Sequence, residues 1–339
     1  MSAIQENYSL KSLNTFGVEA SCRYYISVTS ESELRDAIAL PAVGNLPKLI
    51  IGGGSNLLLT QDFPGLVIHV NLKGKQIITR DADATYVEAA AGENWHEFVC
   101  WTLAQNLAGL ENLSLIPGTV GAAPIQNIGA YGVELQDRFH ALTALDLISG
   151  ELQTFDCEAC RFGYRDSVFK REFKDRVVIT SVTFRLPHRA PLRIDYGDVQ
   201  MELAQMNIKT PTARNIGDAV INIRRRKLPD PAMIGNAGSF FKNPIITDAE
   251  FTRLQQSHPT LAHYTAQPGH VKIPAGWLIE QTGWKGKHLG RAGVHAQHAL
   301  VLVNLGGASG AEILALAQTI QRAVRDQFSI ALEPEPVII

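Results

Sequence analysis

Four side chains have the types and settings that proton transfer and anion binding require. Ser239 sits directly after Gly238 in the segment GNAGSFFKNP, residues 235–244. A hydrolase nucleophile asks for GxSxG, but Phe241 stands where the second glycine would be. Ser239 is therefore either a plain turn serine or a proton donor to a carbanion within hydrogen-bond reach. Arg165, in the segment YRDSVFK over 164–170, either clamps a carboxylate with its planar fork or pairs with the adjacent Asp166 at the surface. Glu333 and Glu335 stand two residues apart in an otherwise apolar C-terminal run, which puts them on one face of a strand. They are either surface charges or a carboxylate that orients a donor or shares its proton.

Two glycine-rich segments must position such groups. Residues 109–135, GLENLSLIPGTVGAAPIQNIGAYGVEL, carry no charges besides Glu111 and Glu134. Neither a 3.6-residue nor a 2-residue period runs through them. A connection this neutral and small-sided reads as buried, either as a packed interior link or as the bed of a bound cofactor, where glycine permits close approach. The segment IGGGSN, 51–56, comes after a short apolar run and invites a Rossmann reading, which fails. Leu57 falls where the third glycine of GxGxxG belongs, and Asp62, Pro64 and Gly65 leave no room for the helix. There remains a turn whose successive N–H groups suit a pyrophosphate. Together the two segments are able to enclose one dinucleotide.

The surrounding elements are legible from pattern and punctuation. Ser30 with Glu33 predicts a capped helix over 31–40. Strands are expected over 47–51, 65–70, 76–80, 86–90, 141–148, 152–155 and 177–186, and a helix over 94–105. Pro211 is expected in the first position of a helix ending in the basic run 224–227. The Pro229–Pro231 punctuation marks a boundary. Beyond it come helices over 248–257 and 275–281, a polar loop over 258–270, a strand over 299–304, a helix from the Ser309–Glu312 cap to about 328, and a strand over 330–339. Strand runs and separate helices in this mixture indicate α+β domains.

A chain of 339 residues exceeds one ordinary core. Its net charge of −2 gives no pull toward nucleic acid or an anionic membrane. No apolar run reaches the roughly 20 residues of a membrane span, and the start lacks the pattern of a signal peptide, so a cytoplasmic location is expected. Cys157 and Cys160 form a CxxC, but Cys22 and Cys100 do not supply a second pair for zinc.

The ordered segments NTFG (14–17), 51–58, 109–135, 164–170, 227–231, 235–244 and GWKG (283–286) resemble the UDP-N-acetylenolpyruvoylglucosamine reductase family, flavoproteins of peptidoglycan precursor synthesis. The resemblance covers nearly the whole chain. With YGD at 196–198 it points to the longer subtype, which carries an extra substrate-covering segment. It implies an α+β chain: a vanillyl-alcohol-oxidase-type FAD-binding fold of two subdomains, 1–75 (joined by 330–339) and 76–226, then an α+β substrate-binding domain, 227–329. FAD would be held by Gly52, Gly53, Gly54, Ser55, Asn56, Leu57, Pro117, Gly118, Gly121, Ala122 and Gly129. Ser55 and Asn56 stand where relatives in the wider superfamily carry a flavin-attaching histidine, so non-covalent FAD is implied. The implied catalytic residues are Ser239, Arg165 and Glu335. Tyr131, Tyr196, Lys227, Asn243, Tyr264, Lys285 and Gln297 would bind substrate. The implied reaction passes hydride from NADPH through FAD N5 to the enolpyruvyl UDP-sugar, with the proton from Ser239. No nucleic acid, metal or membrane partner is implied, and the chain would act as a monomer. The chain departs from the family in two places. Pro336 and Val337 come after the glutamate in place of the usual Val-Arg, and His298 stands where relatives tend to have a polar amide. Without the resemblance, a dinucleotide-binding α+β enzyme is as far as the residues lead. A flavin oxidase of the same superfamily, or a non-catalytic flavin-binding module, are the alternatives.

Overall fold

A computed structural model describes residues 3–339. The chain divides into two compact units, each assembled from separated segments. One comprises the start of the chain to Tyr8 with Ser21–Gly54 and Phe63–Arg226; the other comprises Ser9–Ala20, Ser55–Asp62 and Lys227–Ile339.

The first unit contains two principal sheets. Gln5–Ser9, Ser21–Val28, Phe63–Val70 and Lys48–Ile51 lie in that order in a four-stranded sheet. The last three run parallel, with Tyr25 opposite Val67 and Ile50 opposite Ile68. Leu66, Val67 and Ile68 are all buried, as an apolar run covered on both faces must be. Leu34 and Ala37 of helix Glu31–Ala39 join that core. Ser30 accepts from the Glu33 N–H at 3.1 Å, while the Glu33 carboxylate returns to Thr29 rather than to Ser30.

The second sheet is antiparallel, in the order Leu152–Asp156, Phe139–Asp146, Val177–Pro187, Ala84–Ala90, Lys75–Arg80. From Ser181 onward its central strand alternates: Val182, Phe184 and Leu186 are buried while Thr183 and Arg185 are not. Helix Trp95–Ala104, capped by Asn94, packs Trp95 and Phe98 onto Phe184. Each such buried side chain contributes about 1.5–3 kcal/mol relative to exposure, so this aromatic cluster anchors the chain as it leaves the helix.

The neutral stretch comes next, and it is largely buried. It runs as single 3-10 turns, Glu111–Leu113, Val120–Ala122 and Pro124–Gln126, then the short strands Gly129–Ala130 and Val133–Glu134. Trp95 Nε1 donates to the Leu113 carbonyl at 2.9 Å, and the N–H groups of Val120 and Gly121 donate to the Glu93 and Ala91 carbonyls at 2.9 Å each. Backbone groups that a buried loop would orphan are thereby satisfied.

Two helices, Gly197–Gln205 and Ala213–Lys227, close the unit. The first is not evident from its sequence pattern. The second starts later than Pro211 suggests: Thr212 accepts from the Asn215 N–H at 3.3 Å and is the cap, so Pro211 precedes the helix. Val199, Leu203, Ile216, Val220 and Ile223 form their shared core. Cys157–Cys160 is one helical turn with Cys157 exposed and Cys160 buried, where desolvation pushes the Cys160 thiol up to about 12.

The second unit is built on a sheet ordered Gly235–Ser239, Val301–Asn304, Ala292–Val294, His288–Leu289, all antiparallel. Helix Gly310–Phe328 packs on the two central strands and on helix Ala275–Gln281. Ser309 and Glu312 form its reciprocal capping box. A smaller sheet pairs Ile245–Thr247, His270–Lys272 and Tyr264–Thr265, so the expected polar loop over 258–270 contains a strand. The C-terminal run is not one strand. Only Val337–Ile338 pairs regularly, parallel to Leu57–Leu58, because Pro334 and Pro336 interrupt the ladder before it.

Candidate active site

In the first unit the turn after strand Lys48–Ile51 lies against the Gly118–Thr119 backbone. A Cβ on Gly52 would overlap the Thr119 hydroxyl, and one on Gly53 would lie 3.1 Å from Gly118 Cα. Gly121 is equally confined, since a Cβ there would overlap that of Ala91 and reach 3.0 Å from its Cα. The result is a glycine-lined cradle in which the Gly52–Gly54 turn packs closely on 117–122, the kind of segment that lets backbone approach a phosphate chain. These residues fit the pyrophosphate of a dinucleotide. The N–H groups of Val120 and Gly121 are spent on internal carbonyls, so that part of the bed supplies shape. Ser55, Asn56 and Leu57 continue the same turn into the second unit.

Arg165 adopts a left-handed backbone conformation with φ 54°. Its Nη2 donates to the Gly129 carbonyl at 2.6 Å, and its guanidinium lies 5.5 Å from the Tyr164 ring centroid. Asp166 pairs with Arg171. The structure thus places Arg165 beside one of the expected cofactor positions.

Tyr131 is also left-handed, with φ 49°. Its ring meets that of Tyr196 edge-on, with centroids 5.5 Å apart at 83°. Arg224 donates from Nε to the Leu115 carbonyl at 3.2 Å. Burial pushes the Tyr131 hydroxyl up and holds Arg224 below its ordinary range; the electrostatic attraction between the two groups opposes both shifts. Asn112, fully buried, donates from Nδ2 to the carbonyls of Tyr131 at 3.0 Å and Arg193 at 2.9 Å. Neither Arg224 nor Asn112 stands out in the sequence. Arg224 is legible there only as part of a basic run, although its position one residue after buried Ile223 puts it near the inner face of its helix.

In the second unit, Ser239 and Glu335 are brought together by the backbone. Ser239 pairs with Val301, after an irregularity that begins at Asn236. The next residue, Phe240, accepts from the Glu335 N–H at 2.8 Å, and Lys242 N–H donates to the Glu333 carbonyl at 3.0 Å. Asn56 Nδ2 donates to the Glu335 carbonyl at 3.3 Å, and the Asn56 carbonyl accepts from Val337 N–H at 3.0 Å. Glu335 is thus fixed from both sides. Its neighbour Glu333 is exposed and paired with Lys242 at 2.5 Å. Between the two glutamates, only Glu335 is half-buried. Pro336 costs nothing in this arrangement, because its position falls between the two donating residues, Glu335 and Val337.

The remaining expected ligands lie in the same unit, except Tyr131 and Tyr196. Asn243 accepts from the Ala275 N–H at 2.9 Å, at the start of helix Ala275–Gln281. Tyr264 is exposed, with Lys272 Nζ 5.9 Å from its ring centroid. Lys285 pairs with Glu280 at 2.9 Å. Lys227 ends its helix, exposed, and Gln297 is exposed in the turn between His295 and His298. That turn is closed by His295 N–H to the Val301 carbonyl at 2.8 Å. Burial lowers the His295 imidazole. Among the described residues no cluster of three His, Cys, Asp or Glu side chains is placed to hold a metal ion, and no helix is long and apolar enough to cross a membrane.

Residues 230–339 match the family model described as UDP-N-acetylenolpyruvoylglucosamine reductase, C-terminal domain, and residues 22–156 match one described as FAD binding domain. The chain is 56% identical over 339 residues to the UDP-N-acetylenolpyruvoylglucosamine reductase of Paraburkholderia xenovorans, covering 99% of this chain and 98% of that one. It is 54% identical over 333 residues to the Pseudomonas aeruginosa protein of the same name, covering 98% of each. Among solved structures it is similar to the UDP-N-acetylenolpyruvylglucosamine reductase (MurB) of Thermus caldophilus, with TM-score 0.67 and 25% identity, over 100% of this chain and 98% of that one. The fold is α+β, with an FAD-binding domain. The chain belongs to the UDP-N-acetylenolpyruvoylglucosamine reductase family and is an FAD-dependent oxidoreductase.

Proposed function

We propose that this chain reduces the enolpyruvyl ether of UDP-N-acetylglucosamine to UDP-N-acetylmuramate in peptidoglycan precursor synthesis, with NADPH as hydride donor, in the cytoplasm. The observation that carries the reading is the backbone bond that holds Glu335 on Phe240, the residue after Ser239, in a chain whose relatives bear this name. FAD, bound without a covalent link, would be held by Gly52–Gly54 with Ser55, Asn56 and Leu57, and by Pro117, Gly118, Gly121, Ala122 and Gly129, and would supply the hydride chemistry that links NADPH to the vinyl carbon distal to the substrate's carboxylate.

The protein's side chains then have separate tasks. Arg165 holds the negative charge that grows on the substrate's carboxylate side as the double bond is reduced, since a planar guanidinium meets two oxygens at once. Glu335, protonated or through a water, shares that task. Ser239 gives its proton to the carbon bearing the carboxylate, so hydride and proton together saturate the double bond. Proton transfer from a positioned donor is worth about 10²–10⁴ in rate. Tyr131, Tyr196, Lys227, Asn243, Tyr264, Lys285 and Gln297 bind the UDP-sugar. Lysines and amides are the groups a diphosphate and a uracil would need. The two subdomains assigned to FAD, 1–75 with 330–339 and 76–226, and the substrate domain 227–329 are part of this reading.

An anaerobic absorbance titration tests it. The purified protein should show flavin bands that bleach with NADPH and return on adding the enolpyruvyl UDP-sugar. A colourless protein that cannot be reconstituted with FAD would overturn the proposal. So would bands that return only with oxygen, which would favour an oxidase.

A further inference from the structure

Asn127 takes no part in the chemistry above, yet it is the most constrained polar residue near Arg165. It is completely buried and left-handed, with φ 44°. Its carboxamide is fully engaged. Nδ2 donates to Glu134 Oε2 at 2.9 Å and to the Gly163 carbonyl at 3.1 Å, and Oδ1 accepts from the Gln136 N–H at 3.0 Å. Glu134 ends the hairpin that begins at Gly129, and Gln136 lies in the helical turn just after it; Gly163 begins the turn that presents Arg165. That turn is narrow, with Gly163 and Asp166 exchanging backbone bonds of 3.0 and 3.2 Å. Ser167 Oγ adds a second tie to the same loop, donating to the Ile125 carbonyl at 2.7 Å.

A left-handed arginine is strained by about 1–3 kcal/mol unless its surroundings over-determine it. Here the Asn127 amide, the Ser167–Ile125 bond and the Gly163–Asp166 backbone pair all hold the turn, and only the amide ties it to the hairpin side chain of Glu134 as well. From this geometry we propose that Asn127 is the positioning residue for Arg165, fixing the 163–166 turn on the 129–134 hairpin so that the guanidinium stays on the Gly129 carbonyl. This rests on the reading that Arg165 acts on the substrate. The charged groups around the amide are Glu134, Asp137 (which accepts from the Glu134 N–H), Arg165, Lys170 on the Arg165 carbonyl, and the Asp166–Arg171 pair.

The contact with Glu134 and the contact with Gly163 separate in a paired substitution. Asn127→Asp faces a carboxylate with a carboxylate and turns an acceptor toward the Gly163 carbonyl. Adding Glu134→Gln restores a donor–acceptor pair with the roles exchanged, but leaves Gly163 without its donor. The double variant should therefore regain wild-type melting temperature and FAD content. Its kcat should remain down by on the order of 100-fold, the cost of a displacement of about an ångström, with KM changed far less. Peptide-level hydrogen exchange should rise over 163–166 in the double variant and in Asn127→Ser alike. Wild-type kcat in the stable double variant would overturn the proposal, as would unchanged exchange over 163–166 in either variant. Arg165→Met runs alongside. If it keeps its kcat, the role of Arg165 itself falls; if it loses kcat while the double variant does not, only the role of Asn127 falls.

Discussion

The glycine cradle of the first unit and the Ser239–Glu335 pair of the second solve opposite problems. In the cradle the useful feature is an absence of side chains: Gly52 and Gly121 are glycine because any Cβ would enter Thr119 or Ala91. Around Ser239 the useful feature is two ordinary polar side chains, and the backbone only sets their register, through Phe240, Lys242 and Asn56. Steric need fixes the first region residue by residue. The second would look the same to the backbone with alanine at 239 or glutamine at 335. The cradle should therefore fail through binding and stability, and the pair through rate alone.

The sharpest break in that contrast comes from Glu335→Gln. We expect kcat to fall by roughly 10²–10⁴ with FAD content and melting temperature unchanged, measured by steady-state NADPH oxidation and thermal unfolding. A Glu333→Gln control should stay near wild type, because Glu333 is exposed and bound to Lys242. Arg165→Lys comes next. It keeps the charge but loses the fork, and a drop in kcat of about tenfold or more is expected, against a smaller change in KM. Gly121→Ala should act in the other manner. Overpacking against Ala91 costs about 1–3 kcal/mol, seen as a lower melting temperature and a weaker hold on FAD, while protein that retains FAD turns over normally.

The smallest effect concerns the second unit's long helix. Hydrogen bonds from Ser309 and Arg291 hold Glu312 at about 2, below its ordinary 4.5. A carboxylate depressed on folding stabilises the fold above its unfolded value and loses that contribution as the pH falls through its folded one. The melting-temperature advantage of wild type over Glu312→Gln should thus be present at pH 6 and shrink between about 4.5 and 2. An advantage that grew on acidification would contradict the capping geometry.

The same contrast explains what is legible in the sequence. The cradle announces itself as composition, because steric exclusion selects glycine and little else. Helix caps at Ser30 and Ser309 are equally local and readable, each standing just before an apolar periodic run. Asn112, Asn127 and Arg224 are not, since their partners lie 7 to 109 residues away and nothing local distinguishes them from other amides and cations. Helix Gly197–Gln205 is hidden because Met201 is exposed and the buried stripe is only Val199, Glu202 and Leu203. In the C-terminal run the apolar pattern suggests a strand over 330–339, and its two prolines limit the real one to Val337–Ile338. The preference for Glu335 over Glu333 rests on register, and the Lys242–Glu333 pair supports that choice with a physical reason.

The most direct measurement separates the two half-reactions in Ser239→Ala by rapid mixing without oxygen. Bleaching of the flavin bands by NADPH should proceed at the wild-type rate, since the cradle is intact. Their return on adding the enolpyruvyl UDP-sugar should be slower by roughly 10²–10⁴. A return at the wild-type rate would show that Ser239 does not deliver the proton, and equal slowing of both halves would show that the two regions do not divide the work in this way.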